Sequence, residues 1–142
     1  MLKSLNVAGA QPAVYPDEAG KVLVSDGTYE ITAAQNVDEV VVALCSLPAG
    51  CIPIDFTLIV DDLDSGAALV FDGGGINAAG EHVDQIMISA STVGQAGGVA
   101  RSTQFPVVAP AETETLFGLH VTTAGANGTA GTIRGILTYR AT

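Results

Sequence analysis

The stretch that decides the fold class is residues 52–64, IPIDFTLIVDDLD, in which apolar side chains occupy every second position until three acids end the run. Successive side chains of an extended strand point to opposite faces, so this pattern predicts a strand with one buried face. The predicted inner side chains are Ile52, Ile54, Phe56, Leu58 and Val60, and the predicted outer ones are Pro53, Asp55 and Thr57. The alternation recurs in residues 117–121 and 133–140, which indicates sheets with one face toward water.

Turn-forming residues separate further short apolar runs along the chain. Asp26-Gly27, Pro48-Ala49-Gly50 and residues 125–128 are typical of tight turns between strands. Strands are predicted near residues 21–25, 28–33, 38–46, 52–60, 67–71, 84–90, 98–104, 115–123 and 131–140. About eight or nine short strands in 142 residues predict an all-β fold, an antiparallel β-sandwich or jelly roll.

The chain divides into two predicted parts. Residues 1–19 contain two prolines and no sustained periodicity, which predicts an extended N-terminal arm. Residues 20–142 are predicted to form a single β-sandwich domain, and a domain of this size buries roughly two thirds of the surface of its unfolded chain. Within the arm, Val14, Tyr15 and Pro16 offer an apolar contact for a neighbouring subunit.

The charge of the chain limits its partners. Fifteen acidic residues stand against five basic ones, which gives a formal net charge of -10. The bases are scattered along the sequence, so the surface is expected to repel nucleic acid. Such acidity serves solubility or complements a basic protein partner, and both interpretations remain open. No apolar run approaches the roughly 20 residues that span a bilayer, and the first residues lack a hydrophobic signal region, so we expect no membrane contact and synthesis in a cytosol-like compartment.

The two cysteines allow two redox states. Cys45 and Cys51 bracket residues 46–50, so a disulfide across a hairpin loop is geometrically possible. In a reducing compartment, two free and half-buried thiols are the default. Two cysteines alone do not make a structural zinc site, and neither His82 nor His120 stands at a spacing that would complete one.

The acids that end the first strand suggest a metal site, but their spacing argues against one. Asp61, Asp62 and Asp64 precede Ser65-Gly66, and hard cations prefer several carboxylates within one turn. Counting an EF-hand loop from Asp62 places a glycine where a bidentate acid is required, so that motif fails. A looser site that adds Asp72 is one alternative. An acidic turn that is solvated or faces a partner is the other.

The glycine-rich run of residues 72–80, DGGGINAAG, is predicted to be an irregular loop. Gly73, Gly74 and Gly75 lack the G-x-G-x-x-G spacing of a dinucleotide site, and no helix follows them to bind a phosphate. A mobile loop is therefore the expected structure. No cofactor is predicted from this segment.

Catalytic signatures are absent from the sequence. It contains no G-x-S-x-G elbow and no cysteine beside a histidine. His82, next to Glu81 and Asp84, is the plausible general base, although a surface histidine with acidic neighbours is commonplace. His120 falls at an outward position of its predicted strand. We therefore predict no catalytic residues and no enzyme.

Several segments of the chain resemble one family of proteins. They are the LPAG turn at residues 47–50, VDDLDSG at 60–66, STVGQAGGVAR at 91–101 and AGTIRGILTYRAT at 130–142. Together they resemble the capsid cement, or decoration, proteins of tailed bacteriophages, which have a jelly-roll fold. The resemblance covers residues 38–142 and rests on turn and strand patterns.

The resemblance implies a non-enzymatic virion protein without cofactors. Such a protein binds the outer surface of the capsid, bridges adjacent subunits of the major capsid protein, and associates with itself as a homodimer or homotrimer. The partner contacts predicted for this chain are Val14, Tyr15, Pro16, Asp61, Asp62, Asp64, Gly73, Gly74 and Gly75. A head-tail or tail component and a ligand-binding or sugar-binding β-sandwich remain alternatives, although the chain has no tryptophan and few other aromatic residues to hold sugar rings.

Overall fold

The computed structural model describes residues 1–5, 7, 8 and 21–141, and these residues form nine β-strands and one short 3-10 helix at Val93–Gln95. The strands are β1 (Leu2–Lys3), β2 (Val22–Ile31), β3 (Val41–Leu47), β4 (Cys51–Val60), β5 (Val70–Ile76), β6 (Val83–Ser91), β7 (Gly98–Arg101), β8 (Thr115–Thr123) and β9 (Gly131–Ala141). Within this described part of the chain, no helix has the length and apolar character needed to span a membrane.

The strands form two sheets that pack face to face. The first sheet has the order β1-β3-β8-β5-β6, and the second has the order β2-β9-β4-β7. Neighbouring strands pair antiparallel except β1 and β3, which run parallel. From β2 to β9, each strand lies in the opposite sheet from its predecessor, apart from the β5–β6 hairpin. This connectivity confirms the predicted antiparallel sandwich of the jelly-roll type.

The main core lies between the two sheets. Phe56 of β4 and Phe117 of β8 meet edge to face across it, with ring centroids 5.7 Å apart and an interplanar angle of 69°. This arrangement suits the quadrupoles of the two rings. Tyr139 of β9 is also fully buried. Each of these side chains contributes on the order of 2 kcal/mol through burial of apolar surface, so the pairing of the sheets is the main source of stability.

The first sheet is buried on its outer face as well, because the start of the chain lies against it. The Ser4 hydroxyl donates a hydrogen bond of 2.6 Å to the Leu44 carbonyl, and every residue of β3 is buried. A small apolar cluster fills this outer face; its members are Val41, Ala43, Ile76 and Val83, with Val7, Ile86 and Leu116 packed against it. Residues 1–5, 7 and 8 of the predicted arm thus contact the sheet, and the rest of that arm lies outside the described residues.

Two details of the predicted strands are wrong for identifiable reasons. Asp26-Gly27 is not a turn but lies in the middle of β2, paired with β9, because a glycine there lets the Leu44 carbonyl approach where a Cβ would collide with it. In β4, a bulge between Pro53 and Asp55 shifts the register by one residue. Ile52 and Ile54, predicted to point inward, therefore lie on the outer face.

The prediction of a mobile loop at the glycine run is also wrong. Gly73, Gly74 and Gly75 lie within β5, between β6 and β8, and all three are buried. Gly74 has a φ of 148°, and a Cβ there would collide with the Gln85 carbonyl of β6. The glycines thus permit close strand packing rather than flexibility. They present no side chain to a partner, which removes the basis for predicting them as rim contacts.

The LPAG turn joins the two sheets instead of closing a hairpin, because β3 and β4 belong to different sheets. Cys45 and Cys51 are both buried and free. Burial raises the pKa of the Cys45 thiol to about 12, and its Sγ donates to the Gly135 carbonyl at 3.2 Å. These are inert structural thiols.

Candidate functional site

The connections between strands gather at the two ends of the sandwich. Four connections meet at one end, which we call the closed end; they are residues 32–40, 61–69, 92–97 and 124–130. Residues 48–50, 77–82 and 102–114 meet at the other end, together with the start of the chain, and we call this the open end. The two ends differ in how their backbone polar groups are satisfied.

A buried carboxylate binds the closed end together. Asp64 Oδ1 accepts hydrogen bonds from the backbone N–H groups of Gly66 (2.9 Å) and Asn127 (3.0 Å). Its Oδ2 accepts from Ala68 (2.9 Å) and Leu69 (3.0 Å). These donors, Asn127 foremost, hold the pKa of the Asp64 carboxyl well below its usual range. Asp64 was predicted to lie in an exposed acidic turn, and that is wrong because all its acceptor capacity is directed into the protein.

A buried amide reinforces the same end. Asn36 Nδ2 donates to the Leu63 carbonyl at 2.7 Å and to the Thr129 carbonyl at 3.0 Å. Leu63 in turn donates its N–H to the Gly94 carbonyl at 2.9 Å. All four connections of the closed end are therefore linked by hydrogen bonds.

The remaining predicted acids of this end are exposed, but they also hold backbone groups. Asp61 Oδ2 accepts from the Thr132 N–H at 2.8 Å, and Asp62 Oδ1 accepts from the Asp64 N–H at 3.2 Å. Asp72, the additional ligand of the alternative metal site, accepts from the Ala90 N–H at 2.7 Å. In residues 1–5, 7, 8 and 21–141, no group of three or more potential ligands is placed to hold a metal ion.

The two histidines lie in different settings. His120 points outward from β8, as predicted, but it is buried there, and its Nε2 lies 2.8 Å from Glu39 Oε2. The outer face of β8 is covered at His120, whereas the sequence pattern predicts that this face contacts solvent. His82 is exposed in the β5–β6 connection, with its Nδ1 3.3 Å from Asn77 Nδ2.

The open end contains a long connection that sequence reasoning missed. Its first residues are held by the Thr103 and Gln104 N–H groups, which donate to the Met87 carbonyl at 2.9 and 3.2 Å. Its far side is held at Ala111, whose N–H donates to the Cys51 carbonyl at 3.0 Å. Between these anchors, residues 105–110, FPVVAP, form what we call the arch. Among the described residues, no backbone hydrogen bond joins the arch to the rest of the chain.

The arch exposes apolar side chains. Phe105 is 57% exposed and Val108 is 85% exposed, the latter being the largest value among the exposed large apolar residues described. The sequence signal was available: the arch has no polar side chain, and Pro106 and Pro110 exclude it from a strand. Such a segment between two strands indicates an exposed apolar loop.

Two grooves flank the arch and share Gln85, Thr113 and Thr115 in their linings. One, of about 450 Å³, is formed by the arch itself with Glu112. The other, of about 560 Å³, runs along the first sheet to Lys3 and the start of the chain. Both are open surface features, and the first continues the apolar surface of the arch.

Charge is distributed unevenly over the described surface. Exposed acids lie at both ends; they are Glu81, Asp84, Glu112 and Glu114 at the open end, and Asp38, Glu39, Asp61 and Asp62 at the closed end. Three of the bases lie on the outer face of the second sheet, where Arg101 pairs with Asp55 at 2.9 Å and Arg134 pairs with Asp26 at 2.8 Å. The third is Arg140. Bases that are scattered in the sequence thus share one face of the fold.

Val14, Tyr15 and Pro16, the predicted contacts of the arm, lie outside the described residues. The structure therefore leaves their role as a prediction. Of the other predicted contacts, Asp61 and Asp62 are the ones that remain accessible.

Comparison with known proteins adds the biological setting. No family model and no curated protein sequence matches the chain. A chain from the capsid of Ralstonia phage GP4 shares 32% identity with it at a TM-score of 0.81, over 99% of this chain and 97% of that one. A chain from the capsid asymmetric unit of cyanophage Pam1 shares 28% identity at a TM-score of 0.67, over 96% and 97%. A chain from the acidic stable capsid of Helicobacter pylori bacteriophage KHP30 shares the fold, with 12% identity, a TM-score of 0.53 and coverage of 85% and 90%.

Proposed function

Because the chain belongs to a family of bacteriophage capsid proteins, we propose that it cements the shell: it binds the outer surface and joins adjacent subunits of the major capsid protein. The single observation that carries this proposal is the similarity to the phage GP4 capsid chain over nearly the whole length of both chains. A virion structural role follows from it. The cement proteins that this sequence resembles also have a jelly-roll fold. This shared fold supports the more specific assignment as a cement protein.

The physical properties of the chain suit an outer position. A net charge of -10 repels nucleic acid, so the packaged genome is an unsuitable partner. The same charge favours basic patches on a protein shell. In a symmetric lattice, many copies of a modest interface give a large total stabilisation, so each copy needs only moderate affinity.

Self-association as a homodimer or homotrimer is part of the proposal. The outer face of the second sheet is the most suitable surface for it, because two of its three bases are balanced by Asp26 and Asp55. Exposed Val22 and Val24 add apolar area to the same face. A nearly neutral face lets two acidic copies approach with little repulsion.

The proposed chemistry is binding alone. The buried thiols and His120 are engaged within the fold, His82 is exposed beside Asn77, and both grooves at the open end are open to solvent. We therefore propose that the protein has no enzymatic activity and needs no cofactor. The arm residues Val14, Tyr15 and Pro16 are proposed as additional contacts to a neighbouring subunit.

Binding to purified shells tests the proposed function. Empty shells of the major capsid protein from the same virus are mixed with the chain, sedimented, and the bound copies counted. We expect saturation at hundreds of copies per shell and a higher temperature of shell disruption. Saturation at about a dozen copies would instead indicate a connector, and no binding would contradict the proposal.

A further inference from the structure

We propose that the arch at the open end is the element that docks onto the shell. Its partner would be an apolar pocket bordered by basic side chains on the outer surface of the capsid subunit. This inference rests on the proposed function, because it names the surface through which cementing would occur. Four observations support it: the exposure of the arch side chains, the hydrogen bonds that anchor both sides of the arch, its apolar composition, and the acidic residues beside it.

The exposure of the arch is difficult to explain in a protein that acts alone. Phe105 and Val108 extend apolar surface into water, and the smaller of the two grooves continues that surface. Contiguous exposed apolar surface is typical of interaction sites, whereas single scattered apolar residues are normal. Aromatic residues are also enriched among the side chains that contribute most to binding.

The arch is held in place before it binds. The Met87 carbonyl anchors one side and the Cys51 carbonyl anchors the other. Pro106 and Pro110 fix their own backbone φ angles between these anchors. An anchored and proline-restricted segment loses little conformational entropy on docking, which raises its affinity for a matching pocket.

The composition of the arch separates it from the other exposed apolar positions. Val22 and Val24 lie on the second sheet among charged and polar neighbours, including Arg140 and the Asp26–Arg134 pair. The arch has no polar side chain in six consecutive positions, from Phe105 to Pro110. It is the longer apolar surface and the better candidate for insertion into a pocket.

Charge identifies the shell, rather than a second copy, as the occupant. Glu112 and Glu114 follow the arch directly, and Asp84 lies at the rim of the adjoining groove. Two copies meeting through their open ends would bring these acids together. A copy offering its second sheet would present Arg101 and Arg134, which are already paired, so of the three bases on that face Arg140 alone would face the acids of the open end. A basic surface on another protein satisfies the acids without that conflict.

The test compares two double variants of the full chain in the shell-binding assay. Phe105→Ser with Val108→Ser removes the exposed apolar groups of the arch. Ala34→Ser with Val37→Ser is the matched control, because both side chains are exposed at the closed end, Val37 by 49%, away from the arch and from the sheet face proposed for self-association. We expect the arch variant to bind shells about 30-fold more weakly or worse, as for central interface residues. The control should bind within about 3-fold of the unmodified chain.

Charge is tested with Glu112→Gln and Glu114→Gln together. We expect binding to weaken several-fold at low salt, and its salt dependence to decrease, because two screened attractions are removed. Stronger binding of this variant would contradict a basic partner surface. Circular dichroism and thermal unfolding confirm that each variant is folded.

The outcomes separate this inference from the proposed function. Equal binding by the arch variant and the unmodified chain would overturn the inference and leave cementing intact. Equal losses in the arch variant and the control would also overturn it. Normal shell binding with lost self-association would show that a second copy occupies the arch. Failure of the unmodified chain to bind would refute the proposed function, and the docking role with it.

Discussion

The two ends of the sandwich are built from the same kinds of connection, yet they satisfy their polar groups in opposite ways. At the closed end, Asp64 and Asn36 link three of the connections, and the Leu63 N–H links the fourth by donating to the Gly94 carbonyl. At the open end, the arch is held at its two sides and exposes its apolar middle. Hydrogen bonds within the fold thus hold one end together, whereas the other end presents apolar surface to solvent.

The presence of an acidic residue therefore does not indicate an exposed position in this fold. Asp64 and Glu112 are both carboxylates in connections between strands. The first is buried against four backbone donors, and the second is exposed beside the arch. The difference arises from the surrounding backbone, because N–H groups from residues 66–69 and from Asn127 point at the Asp64 carboxylate.

The largest effect is expected from Asp64→Asn. In the unmodified chain, each carboxylate oxygen of Asp64 accepts from two backbone N–H donors; the substitution replaces one oxygen by an NH₂ group, which cannot accept from its two donors. The substitution also removes the negative charge that strengthens all four bonds. We expect the thermal midpoint to fall by roughly 10 °C or more. Glu112→Gln, which removes the same charge at the open end, should change the midpoint by about 1 °C or less. Similar shifts in both variants, measured by calorimetry, would remove the distinction between the ends.

The stability of the closed end should depend on pH in a defined direction. Because the folded pKa of Asp64 is lowered, its contribution is fully present above the unfolded value of about 4. This contribution to stability is lost as the pH falls from about 4 through the pKa of Asp64 in the folded state. The stability difference between the unmodified chain and Asp64→Asn should therefore be constant near neutral pH and shrink below about pH 4. A difference that is constant down to the lowest accessible pH would show that ionisation of Asp64 is not its source.

Two asparagines give a smaller comparison of the ends. Asn36→Ala removes the side-chain donor from the Thr129 carbonyl and one of the two donors from the Leu63 carbonyl, which keeps the Thr129 N–H, and we expect a loss of about 2 kcal/mol. Asn77 accepts from the Glu81 and His82 N–H groups at the open end, where water can replace it. Asn77→Ala should cost about 1 kcal/mol or less. Urea unfolding of both variants measures the difference, and equal losses would show that the open end is held as firmly.

The smallest effect on folding is expected from the arch itself. Phe105 and Val108 contribute little to the core, so replacing both by serine should change the free energy of unfolding by about 0.5 kcal/mol or less. A loss of several kcal/mol would mean that the arch packs against the fold in solution. Its exposure would then have no bearing on binding.

The periodicity of the sequence was sufficient for the fold class but not for the details that tertiary contacts decide. Alternation in residues 117–121 and 133–140 predicted strands correctly, since each has one face in the core. The bulge after Pro53 reversed the predicted faces of Ile52 and Ile54, because an inserted residue leaves no mark on a period-two pattern. Gly73–Gly75 form a buried strand because neighbouring strands need the space that a side chain would occupy.

Prediction of the site was weaker for a related reason. Acids and glycines were predicted as partner contacts because they are the usual residues of turns. Burial decides whether such residues can contact a partner, and the burial of Asp64 depends on residues far away in sequence such as Asn127. The arch could have been recognised from its prolines and its lack of polar side chains. Its position beside Glu112 and Glu114 was visible in the sequence, whereas the exposed fractions of Phe105 and Val108 required the structure.

Hydrogen exchange on the chain, free and bound to shells, tests the central claim most directly. The arch amides of Phe105, Val107, Val108 and Ala109 lack backbone partners within the described structure and should exchange rapidly in the free chain. We predict strong protection of residues 102–114 on binding, with exchange in residues 61–69 and 124–130 unchanged. Protection confined to the closed end, with the arch still exchanging rapidly on the shell, would contradict the account.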